Sequence, residues 1–86
     1  MTYKILFTKQ AEKDFEKIEQ SQYKGKVYRL LSAIEQDPFS PPYEKLIDLP
    51  DTYSRRINIQ HRLVYRIIEE EKTIVIIRMW THYGDN

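Results

Sequence analysis

Three prolines within five residues, Pro38, Pro41 and Pro42, divide this chain into parts with different periodicities. A proline fixes φ, gives up its backbone N–H and keeps the preceding residue out of helical geometry. Residues 37–43 therefore read as a stiff, extended loop, suited to presenting the segment after it, Glu44-Lys45-Leu46. On the N-terminal side the apolar residues repeat at helical spacing. Ala11, Phe15 and Ile18 fall at i, i+4 and i+7, with Glu12, Lys13, Asp14, Glu16 and Lys17 filling the other faces. Val27, Leu30, Leu31 and Ile34 fall at i, i+3, i+4 and i+7. Both runs are amphipathic helices; Thr8 can cap the first, and Ser21 and Gly25 separate the two. On the C-terminal side residues 53–59 alternate, and residues 62–69 and 73–80 are rich in β-branched and aromatic side chains. Pro50-Asp51-Thr52 marks a turn, and residues 69–72 a charged hairpin turn. Residues 3–8, Y-K-I-L-F-T, supply an opening strand. The order β-α-α-β-β-β predicts an α+β fold: two N-terminal helices packed on one face of a small antiparallel sheet. Phe15, Ile18, Leu31, Ile34 and alternate residues of 73–80 are expected to be buried. The sheet's other face, or its concave side, is left to carry a site.

With 86 residues and no linker or repeat, residues 1–86 are expected to form a single domain. A domain this small buries only about 60% of the surface its unfolded chain exposes, so a partner would help it. It has no cysteine, which removes disulfides and thiolate metal sites. His61 and His82 cannot close a zinc site alone, and no metal or cofactor is expected. No apolar run is long enough for a signal segment or a membrane span, so a cytoplasmic location is expected. The net charge of +1 says little, but its distribution says more. Residues 53–68 carry Arg55, Arg56, Arg62, Arg66 and His61, with no Asp or Glu. Such asymmetry suits a nucleic-acid surface, and equally a strand pair with solvated arginines.

Few residues could do chemistry. Cleaving RNA without a metal needs a base for the 2′-hydroxyl proton, a cation for the phosphoryl charge, and an acid for the departing 5′-oxygen. Glu44, Arg62 and His82 are of the right types, each on a different segment. Composition also allows a surface glutamate, an edge arginine and a tail histidine. Tyr53 and Tyr83 could stack on bases or cover the rim of the core, and Trp80 suits the core better than a base platform.

The run from Ser54 to Tyr65, S-R-R-I-N-I-Q-H-R-L-V-Y, resembles the S-R-R-I-x-x-x-H-R-L-V-Y signature of the YoeB (Txe/YoeB) branch of the RelE toxin superfamily. Trp80-Thr81-His82-Tyr83 is similar to that branch's C-terminal x-x-H-Y. Pro38-Phe39 and Glu44-x-Leu46 match its segment before the second strand. The likeness covers nearly the whole chain and implies a RelE-like microbial ribonuclease fold. It implies a type II toxin: a ribosome-dependent endoribonuclease that cleaves messenger RNA in the A site and is neutralised by a cognate YefM-like antitoxin. It also implies roles. Glu44 matches the general base, Arg62 the arginine that stabilises the scissile phosphate, His82 the general acid, and Tyr83 the tyrosine that orients or stacks on substrate. Arg55 and Arg56 match the signature's paired arginines and are expected to contact RNA or the ribosome, with Arg66, Tyr53 and His61 beside them. The partners expected are the antitoxin, the 70S ribosome with its message, and a second copy in a homodimer. The chain departs from the pattern at Ser40-Pro41-Pro42-Tyr43, where many members carry a glycine-rich stretch with lysine. Residues 84–86 extend beyond the usual ending. Two other functions compete: a catalytically weak scaffold serving as antitoxin partner or corepressor, and a nuclease that cuts free RNA without the ribosome.

Overall fold

The computed structural model describes residues 2–81, Thr81 through its backbone alone. His82, Tyr83 and residues 84–86 lie outside the described residues. The chain forms β1 (Lys4–Phe7), α1 (Lys9–Glu19), α2 (Lys24–Gln36), β2 (Glu44–Lys45), β3 (Thr52–Arg56), β4 (Arg62–Ile68) and β5 (Thr73–Thr81). A 3-10 turn at Glu69–Glu71 and a left-handed Lys72 close the β4–β5 hairpin where the charged turn was expected. The five strands make one sheet in the order β1-β5-β4-β3-β2.

The expected helices-on-sheet architecture is present, and its sheet is mixed. β2 through β5 pair antiparallel, but β1 runs parallel to β5, with Lys4 opposite Thr73 and Phe7 opposite Ile76. Parallel neighbours need a long crossover, and everything between β1 and β5 serves as one. Strand orientation of this kind is set by the whole path of the chain and not by any local turn. The sequence also missed β2, two residues long after the proline loop.

Thr8 does cap α1, its hydroxyl accepting the Ala11 N–H at 3.1 Å. The same hydroxyl donates to the Ile77 carbonyl at 3.2 Å, tying the helix start to β5. Ala11, Ile18, Val27 and Ile34 bury completely against Leu63, Tyr65, Ile74, Ile76 and Met79. Phe15 and Leu31 are only half-buried and pack on the rim of this core. In β5 the alternation holds for Ile74 and Ile76 and then skips to Met79. The reason is a pair of irregularities: Tyr65 faces Ile76, Val64 faces Arg78 and Arg62 faces Thr81, so β5 spends extra residues against β4.

Asp14 was expected on the polar side of α1. It is buried instead. Its carboxylate accepts hydrogen bonds from Arg78 Nε at 2.8 Å, the Met79 N–H at 3.1 Å and Gln10 Nε2 at 3.0 Å. Burial alone pushes this carboxyl up. The hydrogen bonds from Arg78, Met79 and Gln10, with the Arg78 charge, outweigh it and hold the group below the ordinary value of 3.8. Among the described residues no helix is long and apolar enough to cross a membrane.

Candidate active site

The site begins with the proline loop. Arg55 of β3 reaches back to hold it. Its Nε donates to the Tyr65 hydroxyl at 2.9 Å, and one terminal nitrogen donates to the carbonyls of Pro38 at 3.2 Å and Ser40 at 2.6 Å. The Tyr65 hydroxyl also donates to the Pro38 carbonyl at 3.2 Å. Burial raises the pKa of that hydroxyl against the opposing pull of Arg55, which keeps it a neutral donor. Phe39 and Tyr43 set their rings edge-to-face with Tyr53, at 6.0 and 5.4 Å between centroids. The loop is thus pinned on both sides before β2 begins at Glu44.

Pairing then fixes which side chains share a face. Glu44 lies opposite Ser54, Ser54 opposite Val64, and Arg56 opposite Arg62. Side chains alternate along a strand, so Glu44, Arg56 and Arg62 project to one side, and Arg66, opposite Thr52, to the same side. Glu44 and Arg62 meet in an ion pair, with the arginine side chain 18% exposed and the glutamate 65%. Two segments that the sequence nominated for base and phosphate cation are therefore in contact.

β2 pairs only with Tyr53 and Ser54, so the edge of β3 beyond Ser54 has no strand beside it. A cleft of about 380 Å³ opens there. Pro42, Tyr43 and Glu44 line it from the loop and β2, Arg55, Arg56 and Arg62 from β3 and β4, and Lys26 and Leu30 from α2. The site thus reaches the edge of the sheet and uses a helix wall, where a helix-free face was expected. Lys26, Leu30 and Tyr43 were not among the residues expected to line it. Lys26 and Leu30 stand at i and i+4 and so share a helix face, a signal available in the sequence. Which wall that face would meet was not.

Three of the residues expected at the RNA surface make packing contacts within the fold. Arg55 is 5% exposed and its guanidinium is spent on loop carbonyls and Tyr65, so it anchors the loop and is no free contact for phosphate. His61 is buried, its ring stacked on Trp80 at 4.2 Å and its backbone N–H donating to Asn58 Oδ1 at 2.5 Å. It closes the turn after β3, which therefore ends at Arg56 and not at residue 59. Tyr53 points away from Glu44, to the face of Tyr65, whose ring it stacks on at 6.1 Å. Arg56 and Arg66 remain exposed on the expected side.

A family model described as a YoeB-like toxin of bacterial type II toxin–antitoxin systems matches residues 7–83. A toxin YoeB of Synechocystis sp. is 35% identical over 85 residues, covering 93% of this chain and 96% of its own length. Among solved structures, the YoeB dimer of Staphylococcus aureus superposes with a TM-score of 0.81 at 32% identity, covering 96% of this chain and 100% of its own. The YoeB–YefM toxin–antitoxin heterotetramer of the same organism gives 0.77 at 32% identity, with the same coverage.

Proposed function

The chain belongs to the YoeB-like toxins of bacterial type II toxin–antitoxin systems, and we propose that it acts as a ribosome-dependent endoribonuclease on messenger RNA in the cytoplasm. One observation carries this reading. Glu44 and Arg62, distant in the chain, meet in the lining of a cationic cleft, as a base and a phosphate-binding cation must stand side by side.

Those groups define the chemistry. The Glu44 carboxylate takes the proton of a ribose 2′-hydroxyl. The freed oxygen attacks the adjacent phosphorus, and Arg62 balances the charge that builds on the non-bridging oxygens. His82 gives a proton to the departing 5′-oxygen, and Tyr83 orients the substrate. The products are a 2′,3′-cyclic phosphate and a free 5′-hydroxyl. Base, cation and acid all come from side chains, so this reaction calls for no metal. Arg56 and Arg66 extend the cation row and hold flanking phosphates or ribosomal RNA.

A YefM-like antitoxin would silence the protein by covering the arginine row or displacing the chain after Trp80, and without it the toxin pairs with a second copy. Cleavage of a message on programmed ribosomes tests the reading. Wild-type protein should cut, antitoxin should stop it, and Glu44→Ala or His82→Ala should slow it about 10²–10⁴-fold. Undiminished cutting by both variants would refute the assignment.

A further inference from the structure

The Glu44–Arg62 pair makes up only part of the cleft's lining. Glu44 is paired to Arg62 and Arg55 is held by the loop, so the remaining cations are Lys26 of α2 and Arg56 of β3. Neither has a carboxylate within ion-pair distance among the described residues. Two cations without acidic partners in the lining of one cleft attract an anion. Tyr43 also lines the cleft, 37% exposed, its ring fixed edge-to-face by Tyr53 and lying 5.9 Å from the Arg55 guanidinium. Leu30 adds an apolar patch to the wall. A volume of about 380 Å³ lies at the low end of pockets that hold small ligands, about 300–1,000 Å³. That is too large for a lone phosphate and suited to one nucleotide.

We propose that this cleft seats the nucleotide next to the scissile phosphate, its base stacked on Tyr43 and its outer phosphate held between Lys26 and Arg56. The proposal rests on the nuclease reading and deepens it. Tyr43 is carried by the proline loop, which Arg55 and Tyr65 hold in place. Aromatic rings stack on any base, and single-stranded RNA is commonly held by such platforms beside cationic grooves. Because stacking tolerates every base, the subsite positions the message more than it reads it.

The test is titration of the free, isotope-labelled protein with a nucleoside 3′,5′-bisphosphate, followed by NMR. Amide shifts are expected at Lys26, Tyr43 and Arg56, growing together. Inorganic phosphate should move Arg56 without Tyr43. Tyr43→Ala should weaken binding about 5- to 100-fold, the usual worth of base–aromatic stacking. Tyr43→Phe should bind like wild type. Lys26→Ala should weaken binding and flatten its salt dependence. Inorganic phosphate reproducing every shift, or Tyr43→Ala binding like wild type, would overturn the proposal. Wild-type protein that cuts messages on ribosomes yet shows no shift at Lys26 and Tyr43 overturns the subsite alone. A protein that binds the bisphosphate as described but never cuts keeps the subsite and removes the nuclease reading.

Discussion

Glu44 and Arg62 neutralise each other in the RNA-free chain, so on the proposed reading an incoming phosphate must draw Arg62 away from the proposed base. A half-exposed ion pair of this kind is worth little, about 0.2–1 kcal/mol. Glu44→Gln should therefore tighten RNA association by only about two- to fivefold while cleavage falls about 10²–10⁴-fold, as filter binding and single-turnover assays would register. Weakened association would mean that Glu44 holds substrate. Asp14 is a different kind of pair, buried and bonded to both Arg78 and the β5 backbone. Asp14→Asn should cost about 2–3 kcal/mol, less than the ~3–5 kcal/mol of a fully buried pair, because Arg78 keeps a third of its surface in water. The folded carboxyl titrates below the ordinary value of 3.8, so its contribution is full above that pH and is lost as pH falls through the folded value. Thermal unfolding at pH 7 should separate the variant from wild type, and the gap should shrink in acid. A gap that is constant with pH would show that packing, and not ionisation, is what Asp14 supplies.

Among the elements, the proline loop and the strand that holds it decide where Glu44 stands. Arg55 makes a planar, many-donor contact that lysine cannot copy, so Arg55→Lys should fail to restore what Arg55→Ala loses. Both should cost about 2–3 kcal/mol, the range for hydrogen bonds to a charged group. The salt slope of RNA association should stay put for these variants and drop by about one for Arg56→Ala. A slope that changes for Arg55 instead would return it to the surface. In α2, Ile34→Ala should cost about 2–5 kcal/mol in chemical denaturation, and Leu31→Ala less, because Ile34 is fully buried and Leu31 sits at the rim. Helix spacing showed the stripe that carries both but not how deep each member lies. Asp14 was legible in principle, since 11, 14 and 18 share a face, yet its charge argued for solvent until Arg78 was placed beside it. The two helices, the proline loop and four of the strands could be read from composition and periodicity. The two-residue β2, the parallel direction of β1 and the irregular register of β5 could not, because they depend on partners far away in the chain. Glu44 and Arg62 were nominated by chemical type and by resemblance; only their contact required the fold. The burial of Arg55 and the packing of Tyr53 against Tyr65 were not legible, because a strand's sequence does not announce which face will be covered.

At the scale of the whole molecule, a net charge of +1 hides a row of Arg56, Arg62 and Arg66 along one side of the sheet. Such a row suits a polyanion when free and an acidic, folding-upon-binding segment of antitoxin when silenced. Antitoxin binding should therefore protect the Arg56 and Arg62 amides from hydrogen exchange, or move the chain after Trp80; protection confined to the α1 surface would argue against both. Every catalytic role assigned to this chain depends on the ribose 2′-oxygen being the nucleophile. A message carrying a single 2′-deoxy nucleotide at the cleaved position, presented on programmed ribosomes, measures it directly. The roles given to Glu44, Arg62 and His82 predict that cutting at that position is lost while neighbouring ribose positions stay susceptible. A deoxy-substituted message cut at the same place and rate would contradict them together.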